Sequence, residues 1–226
     1  AALESAALES AALGSAEDLS AEPVDRLVDR FLAPGGGGRG ALVSELESRA
    51  SATLRPGVLD SLTDAVMRLV EATERGVPGA GELAARLATP GVTSRLAARL
   101  GHERDVGGRE LLLRVASRLG EPMATALGDA LSDDPERSAR RVYLDALVAL
   151  GPVGRKAVDD MVADSRWFVV RNGVAILGEV GGADALARLA RTLDHGDPRV
   201  RREAVMALAR IGGDDAGRQV ERMLSD

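Results

Sequence analysis

Apolar residues recur along the second half of the chain with a long, regular period. Gly120, Gly151, Gly181 and Gly212 stand 31, 30 and 31 residues apart, and each closes a segment with the same order of apolar positions. One residue before each glycine stand Leu119, Leu150, Val180 and Ile211. Four before stand Ala116, Leu147, Leu177 and Leu208; seven before stand Leu113, Leu144, Val174 and Val205. Steps of three and four residues place these side chains on one helix face. A unit of about 30 residues built from two helices cannot bury such a face alone, so the pattern predicts an all-α solenoid whose units pack on their neighbours.

A further helix follows each glycine. Leu127 and Leu131 point inward after Gly120, Val158 and Val162 after Gly151, Leu186, Leu189 and Leu193 after Gly181, and Val220 and Leu224 after Gly212. The glycine itself reads as the residue just past a helix end, where positive φ makes a Cβ costly. The opposite turn of each unit carries aspartate, in DDPE at 133–136, ADSR at 163–166 and HGDPR at 195–199. Aspartate accepts the unpaired N–H groups of a starting helix, and Pro135 and Pro198 suit its first turn.

The first part of the chain is less regular. Leu3, Leu8 and Leu13 recur every five residues in AALES, AALES and AALGS, which walks them around a helix, so residues 1–21 read as a low-complexity, Ala-rich extension. In residues 22–33, Val24, Leu27, Val28, Phe31 and Leu32 form a short amphipathic helix that must dock on something. PGGGGRG at 34–40 reads as a linker and the clearest boundary. Residues 41–106 predict an irregular helical region or degenerate repeats. One helix there starts with Leu42, Val43 and Leu46 and reaches about Leu54. A second, opened by Pro56, carries Val58, Leu59, Leu62, Val66, Leu69 and Val70 and ends near Arg75, and two shorter segments follow with Leu83, Leu87, Leu96 and Leu100 inward. Regular repeats occupy 107–226. The chain starts at Ala1 rather than Met and stops at Asp226, where another aspartate turn would begin, so it reads as a fragment of a longer solenoid.

DPRVRREAVMALARIG and its partner RWFVVRNGVAILGEVG resemble the HEAT-repeat family, especially the short bacterial HEAT-like repeats related to those of phycobilisome lyases. The resemblance is carried by residues 135–226 and extends to 107–134. It implies an α-α superhelix whose second helices line a concave face and a scaffold role in binding proteins or peptides. It does not imply lyase activity.

Composition narrows the chemistry. The chain has no Cys and two His, His102 and His195, neither with metal-ligand spacing, so no metal and no cofactor are expected. Asp159–Asp160 and Asp214–Asp215 are sequence neighbours and splay apart on a helix, unlike a facing catalytic pair. GGGGRG lacks the Lys-Ser/Thr ending of a phosphate loop. A net charge of −6 argues against a nucleic-acid partner. The charge is uneven, however: residues 136–226 hold 15 basic against 14 acidic side chains, and residues 1–135 hold 14 against 21. No apolar run is long enough to cross a membrane and no signal peptide is visible, so the chain reads as soluble, and the lack of Cys fits a reducing cytoplasm.

Ten residues before three of the glycines stand Arg141, Arg171 and Arg202. Two readings are open: a ladder of charge-assisted bonds to the turn carboxylates Asp133 or Asp134, Asp164 and Asp197, or a stripe that recognises an acidic partner. Trp167, the one indole, stands between Arg166 and Phe168 and either fills a gap between repeats or anchors an interface. Asn172 sits mid-helix, where its side chain needs a polar partner. Arg141, Arg166, Trp167, Arg171, Asn172 and Arg202 are therefore the candidate partner-binding residues of a non-enzymatic scaffold. The alternatives are a HEAT-like DNA repair glycosylase or other nucleic-acid binder, and a chromophore-lyase-type subunit.

Overall fold

The structure is a computed structural model that describes residues 16–34, 38–52 and 56–225. The expectations for Leu3, Leu8, Leu13 and Leu54, and for the side chains of Val220 and Leu224, lie outside the described residues. Among the described residues every regular element is an α-helix, so the fold class is all-α. The chain divides into two compact units, one up to Met123 and one from Ala124.

The first unit holds α1 (Ala16–Ala21), α2 (Val24–Leu32), α3 (Arg39–Ser51), α4 (Pro56–Glu74), α5 (Ala80–Leu87), α6 (Pro90–His102) and α7 (Val106–Leu119). Its centre is α4, which packs against α2, α3, α5, α6 and α7. Leu62, Ala65, Val66, Leu69, Val70 and Ala72 are buried on it. The amphipathic α2 docks here, with Val24, Leu27, Val28 and Phe31 buried against α3 and α4. Helices on both sides of the glycine run at 34–40 thus belong to one core. Arg49 on α3 ties α1 to it, donating to the carbonyls of Leu19 at 2.5 Å and Glu22 at 2.6 Å.

The second unit contains the rest of α8 (Glu121–Asp133), α9 (Arg137–Ala149), α10 (Pro152–Val162), α11 (Trp167–Val180), α12 (Gly182–Thr192), α13 (Pro198–Ile211) and α14 (Gly213–Ser225). These form a solenoid of helix pairs. Gly151, Gly181 and Gly212 each follow the second helix of a pair with φ of 58°, 68° and 70°, the positive values expected of them. The N–H of Gly181 donates to Leu177 O and that of Gly212 to Leu208 O, both at 3.0 Å, satisfying carbonyls that the helix end leaves open. At the other turn Asp134, Asp164 and Asp197 each accept the N–H two residues on, at 2.7 to 2.8 Å.

The buried stripe is broader than the expected one. The position four before each glycine is buried throughout, and Leu119, Leu144 and Val174 are buried as expected, but Val180 is 48% exposed, and Leu113, Leu150, Val205 and Ile211 are only half-buried. The core also runs through the positions five and eight before the glycine, beside the position four before it. On α9 these are Leu147, Ala146 and Tyr143; on α11 they are Leu177, Ile176 and Gly173; on α13 they are Leu208, Ala207 and Ala204. The helix turns about 100° per residue, so adding the positions five and eight before the glycine centres the stripe on the neighbouring pairs. In α12 Ala185 is buried and Leu186 half-buried, while Leu189, and Leu193 just past the helix end, are buried as expected. Val158 is likewise buried and Val162 half-buried.

Helices α11 and α13 make the most extensive pairing in the unit, whereas α9 and α11 lack a comparable contact. Small residues explain the first. A Cβ on Gly178 would lie 2.6 Å from the Cβ of Ala207, so the two backbones approach as closely as glycine permits. Three before its glycine, α9 carries Val148 where α11 carries Gly178; five before, α11 carries Ile176 where α13 carries Ala207. At the α9–α11 step the bulkier Val148 and Ile176 stand in these places, and Val148 is 53% exposed.

Candidate functional site

A groove of about 570 Å³ runs along the second helices of the unit, across α9, α11 and α13. Its floor is apolar: Leu131, Leu144, Ala175 and Ile176. Met206, 47% exposed, continues that surface onto α13. Arg137, Arg140 and Arg141 line it from α9, Asn172 and Glu179 from α11, and Glu203 and Arg210 from α13. Four arginines therefore face two glutamates in a chain whose net charge is −6.

These charges are only partly matched. Glu179 accepts from Arg141 and pairs with Arg210, both at 3.3 Å, which links all three helices across the groove. Arg141 also pairs with Asp145 one turn along α9, at 3.2 Å, and Arg210 reaches Glu203 at 3.9 Å. Arg140 is held by neutral acceptors, donating to the carbonyls of Asp134 at 2.7 Å and Pro135 at 2.8 Å. Arg137 is exposed. These pairs lie at the surface, where each contributes at most about 1 kcal/mol, so a ligand can exchange them at small cost.

The turn carboxylates have other partners than the expected ladder. Asp164 takes a two-pronged bond from Arg166, at 3.0 and 2.9 Å, and Asp197 takes one from Arg199, at 3.0 and 2.7 Å. The arginines that brace the turns from within the helix are Arg140 and Arg201, which bond carbonyls; Arg201 donates to those of His195 at 2.8 Å and Gly196 at 3.1 Å. Both stand one residue before Arg141 and Arg202. That single step turns the side chain about 100° toward the turn, and leaves Arg141 facing the groove and Arg202 exposed.

Arg166, Trp167 and Arg171 gather around the turn before α11. The Arg199 guanidinium lies 3.3 Å from the Trp167 ring centroid, and that of Arg171 lies 5.8 Å from it. Phe168 meets Trp167 edge to face at 5.9 Å and carries Arg166 at 5.7 Å. Arg171 also donates to Asn172 Oδ1, at 3.2 and 2.7 Å, which gives the mid-helix amide its polar partner. Of the six sequence candidates, only Arg141 and Asn172 line the groove. Arg137, Glu179, Glu203, Met206 and Arg210 were not singled out by the sequence. Their signal was the glycine ruler itself: the positions two, six and nine before the glycine hold Glu179 and Arg210, Ala175 and Met206, and Asn172 and Glu203.

The Arg166 bonds hold the Asp164 carboxyl at about 2, below the ordinary 3.8, and the Arg199 bonds hold Asp197 at about 2. A carboxyl whose folded value is depressed adds stability above its unfolded value and loses it as pH falls toward its folded one. The difference in thermal unfolding midpoint between the parent and an Asp164→Asn/Asp197→Asn variant is therefore expected to be full at pH 5 and to narrow as pH falls from about 4 toward 2. A midpoint difference that stays constant over that window would contradict the assignment.

Tyr143 is buried, and its hydroxyl donates to Asp134 Oδ2 at 2.8 Å. Burial, and then the carboxylate beside it, push the phenol well above its ordinary value, so it stays neutral. Among the described residues no three His, Cys, Asp or Glu side chains converge as metal ligands, and no helix is long and apolar enough to cross a membrane.

Residues 156–226 match a protein-family model described as HEAT repeats. That segment begins within α10 and contains the closely paired α11 and α13. No curated protein sequence matches the chain significantly. Among solved structures, human deoxyhypusine hydroxylase in complex with glycerol is similar over 100% of this chain and 93% of its own, at 18% identity and a TM-score of 0.34. A designed armadillo repeat protein is similar over 89% of this chain and 88% of its own, at 17% identity and a TM-score of 0.30. Another, in complex with the peptide (KR)4, has the same coverage at 15% identity and a TM-score of 0.29.

Proposed function

We propose that the second unit, whose residues 156–226 carry HEAT repeats, is a non-enzymatic scaffold that binds a protein segment in the groove between α9, α11 and α13. The observation that carries this reading is the groove itself: an apolar floor inside a polar, incompletely neutralised rim. That combination suits an extended chain, which offers apolar side chains to the floor and polar groups to the rim. The role requires no chemical step and no cofactor. Within the sequence candidates, Arg141 and Asn172 act at the groove; Arg166, Trp167, Arg171 and Arg202 lie off it and contribute to a partner contact only if the partner extends beyond it. The repeat motifs support placing the chain with bacterial HEAT proteins of the phycobilisome-lyase type, and the absence of Cys fits work in a reducing cytoplasm.

Filling the groove tests the reading. Ala175→Trp places an indole on the half-buried floor. Peptides selected from a displayed random library on the parent protein are expected to lose at least tenfold in affinity for this variant. Circular dichroism should show its helical content unchanged. If the selected peptides bind both proteins equally, or if none is selected, the groove is not a peptide site.

A further inference from the structure

The charge and spacing of the α9 rim define a partner more narrowly than the groove alone. Arg137 and Arg141 stand one turn apart on α9, both exposed and both lining the groove. On a helix such neighbours are about 6 Å apart at Cβ. In an extended chain the side chains at i and i+2 point the same way and are separated by about 6.6 Å. The two spacings match.

We infer that the groove holds an extended acidic segment in which carboxylates at alternate positions bond Arg137 and Arg141, and intervening apolar side chains rest on Ile176 and Met206. This rests on the reading of the groove as a peptide site. The segment's opposite face is set by the same alternation: side chains pointing away from α9 meet the apolar floor and the exposed thioether of Met206. Arginine suits the task because its planar fork binds a carboxylate through two parallel bonds. Arg141 is already oriented toward the groove by Glu179 on α11, at 3.3 Å, and gives up that exposed contact when a partner carboxylate arrives. Glu179 keeps Arg210, so no glutamate is left without a cation. A basic segment fits poorly, because it would place its charges against the excess of arginine.

Fluorescence anisotropy on the full chain tests this with three labelled ten-residue peptides: alternating Asp-Leu, its neutral isostere Asn-Leu, and Lys-Leu. The Asp-Leu peptide is expected to bind at least tenfold more tightly than either of the others, and more weakly as salt is raised. Arg137→Gln/Arg141→Gln should weaken it at least tenfold with unchanged helical content. Arg155→Gln, an exposed change outside the groove, should leave affinity unchanged. Equal binding of the Asp-Leu and Asn-Leu peptides, preference for Lys-Leu, or full affinity in the Arg137→Gln/Arg141→Gln variant overturns the acidic assignment. If Asn-Leu or Lys-Leu is preferred and its binding is lost in Ala175→Trp, the groove still binds peptides and only the charge assignment fails. If no peptide binds and the random library also selects none, both fail.

Discussion

Gly178→Val is expected to destabilise the second unit by about 3 kcal/mol, the upper end of what overpacking a well-packed contact costs. A Cβ alone at this position would lie 2.6 Å from the Ala207 Cβ and 2.8 Å from both the Ala207 Cα and the Arg210 guanidinium. The two Ala207 atoms cannot move without shifting α13. Alanine would regain about 1 kcal/mol of helix propensity over glycine, so Gly178→Ala should be milder, and Ala207→Gly should partly rescue it. Urea unfolding followed by fluorescence reads this unit selectively, because the single Trp of the sequence, Trp167, lies within it. A parent-like midpoint for Gly178→Val would mean that α11 and α13 are not packed as described.

The second large effect is expected at Trp167. Trp167→Ala should cost about 2 kcal/mol, combining the lost burial of a half-exposed indole with the lost stack beneath Arg199. Arg199 comes from the start of α13 and is held in place by Asp197, so its cation meets the ring already oriented. A double-mutant cycle between Trp167→Ala and Arg199→Ala, measured by circular dichroism, should return a coupling of about 1 kcal/mol. Strict additivity would show that the indole packs independently of the next repeat. This coupling also distinguishes the two roles left open for Trp167. A residue stacked within the solenoid changes stability first, whereas an interface anchor would change affinity with little effect on unfolding.

The helical repeats were legible because glycine at a helix end answers to a local rule: positive φ is costly for any other residue, wherever the helix goes next. The aspartate turns were legible in part: Asp197 caps α13 as expected, with Pro198 in its first turn, whereas Asp134 and Asp164 accept the N–H of Glu136 and Arg166 one residue before their helices start, and Pro135 lies outside α9. The exact buried stripe was harder to read. An apolar residue such as Val180 scores alike on either edge of a face, and only the direction of the neighbouring helices decides that it is exposed. Small core residues were harder still. Gly173 and Ala207 are buried where helices approach closely, and composition gives no sign of that. The arginines show the finest limit. Arg140 and Arg141 are adjacent and chemically identical, yet one braces a turn and the other faces the groove. A count from the glycine that is off by one position exchanges those roles.

Val148 and Ile176 also settle a problem of degeneracy. A strictly periodic stack presents the same surface at every step, so an extended ligand could bind in several registers displaced by one unit, with nothing to choose among them. At the junction of α9 and α11 the translational symmetry is broken by two bulky side chains, where α11 and α13 carry glycine and alanine. The groove runs across α9, α11 and α13, so a ligand seated along it would meet two unlike steps and could take only one alignment. A Val148→Gly/Ile176→Ala pair would make the two steps alike at these positions and weaken that address.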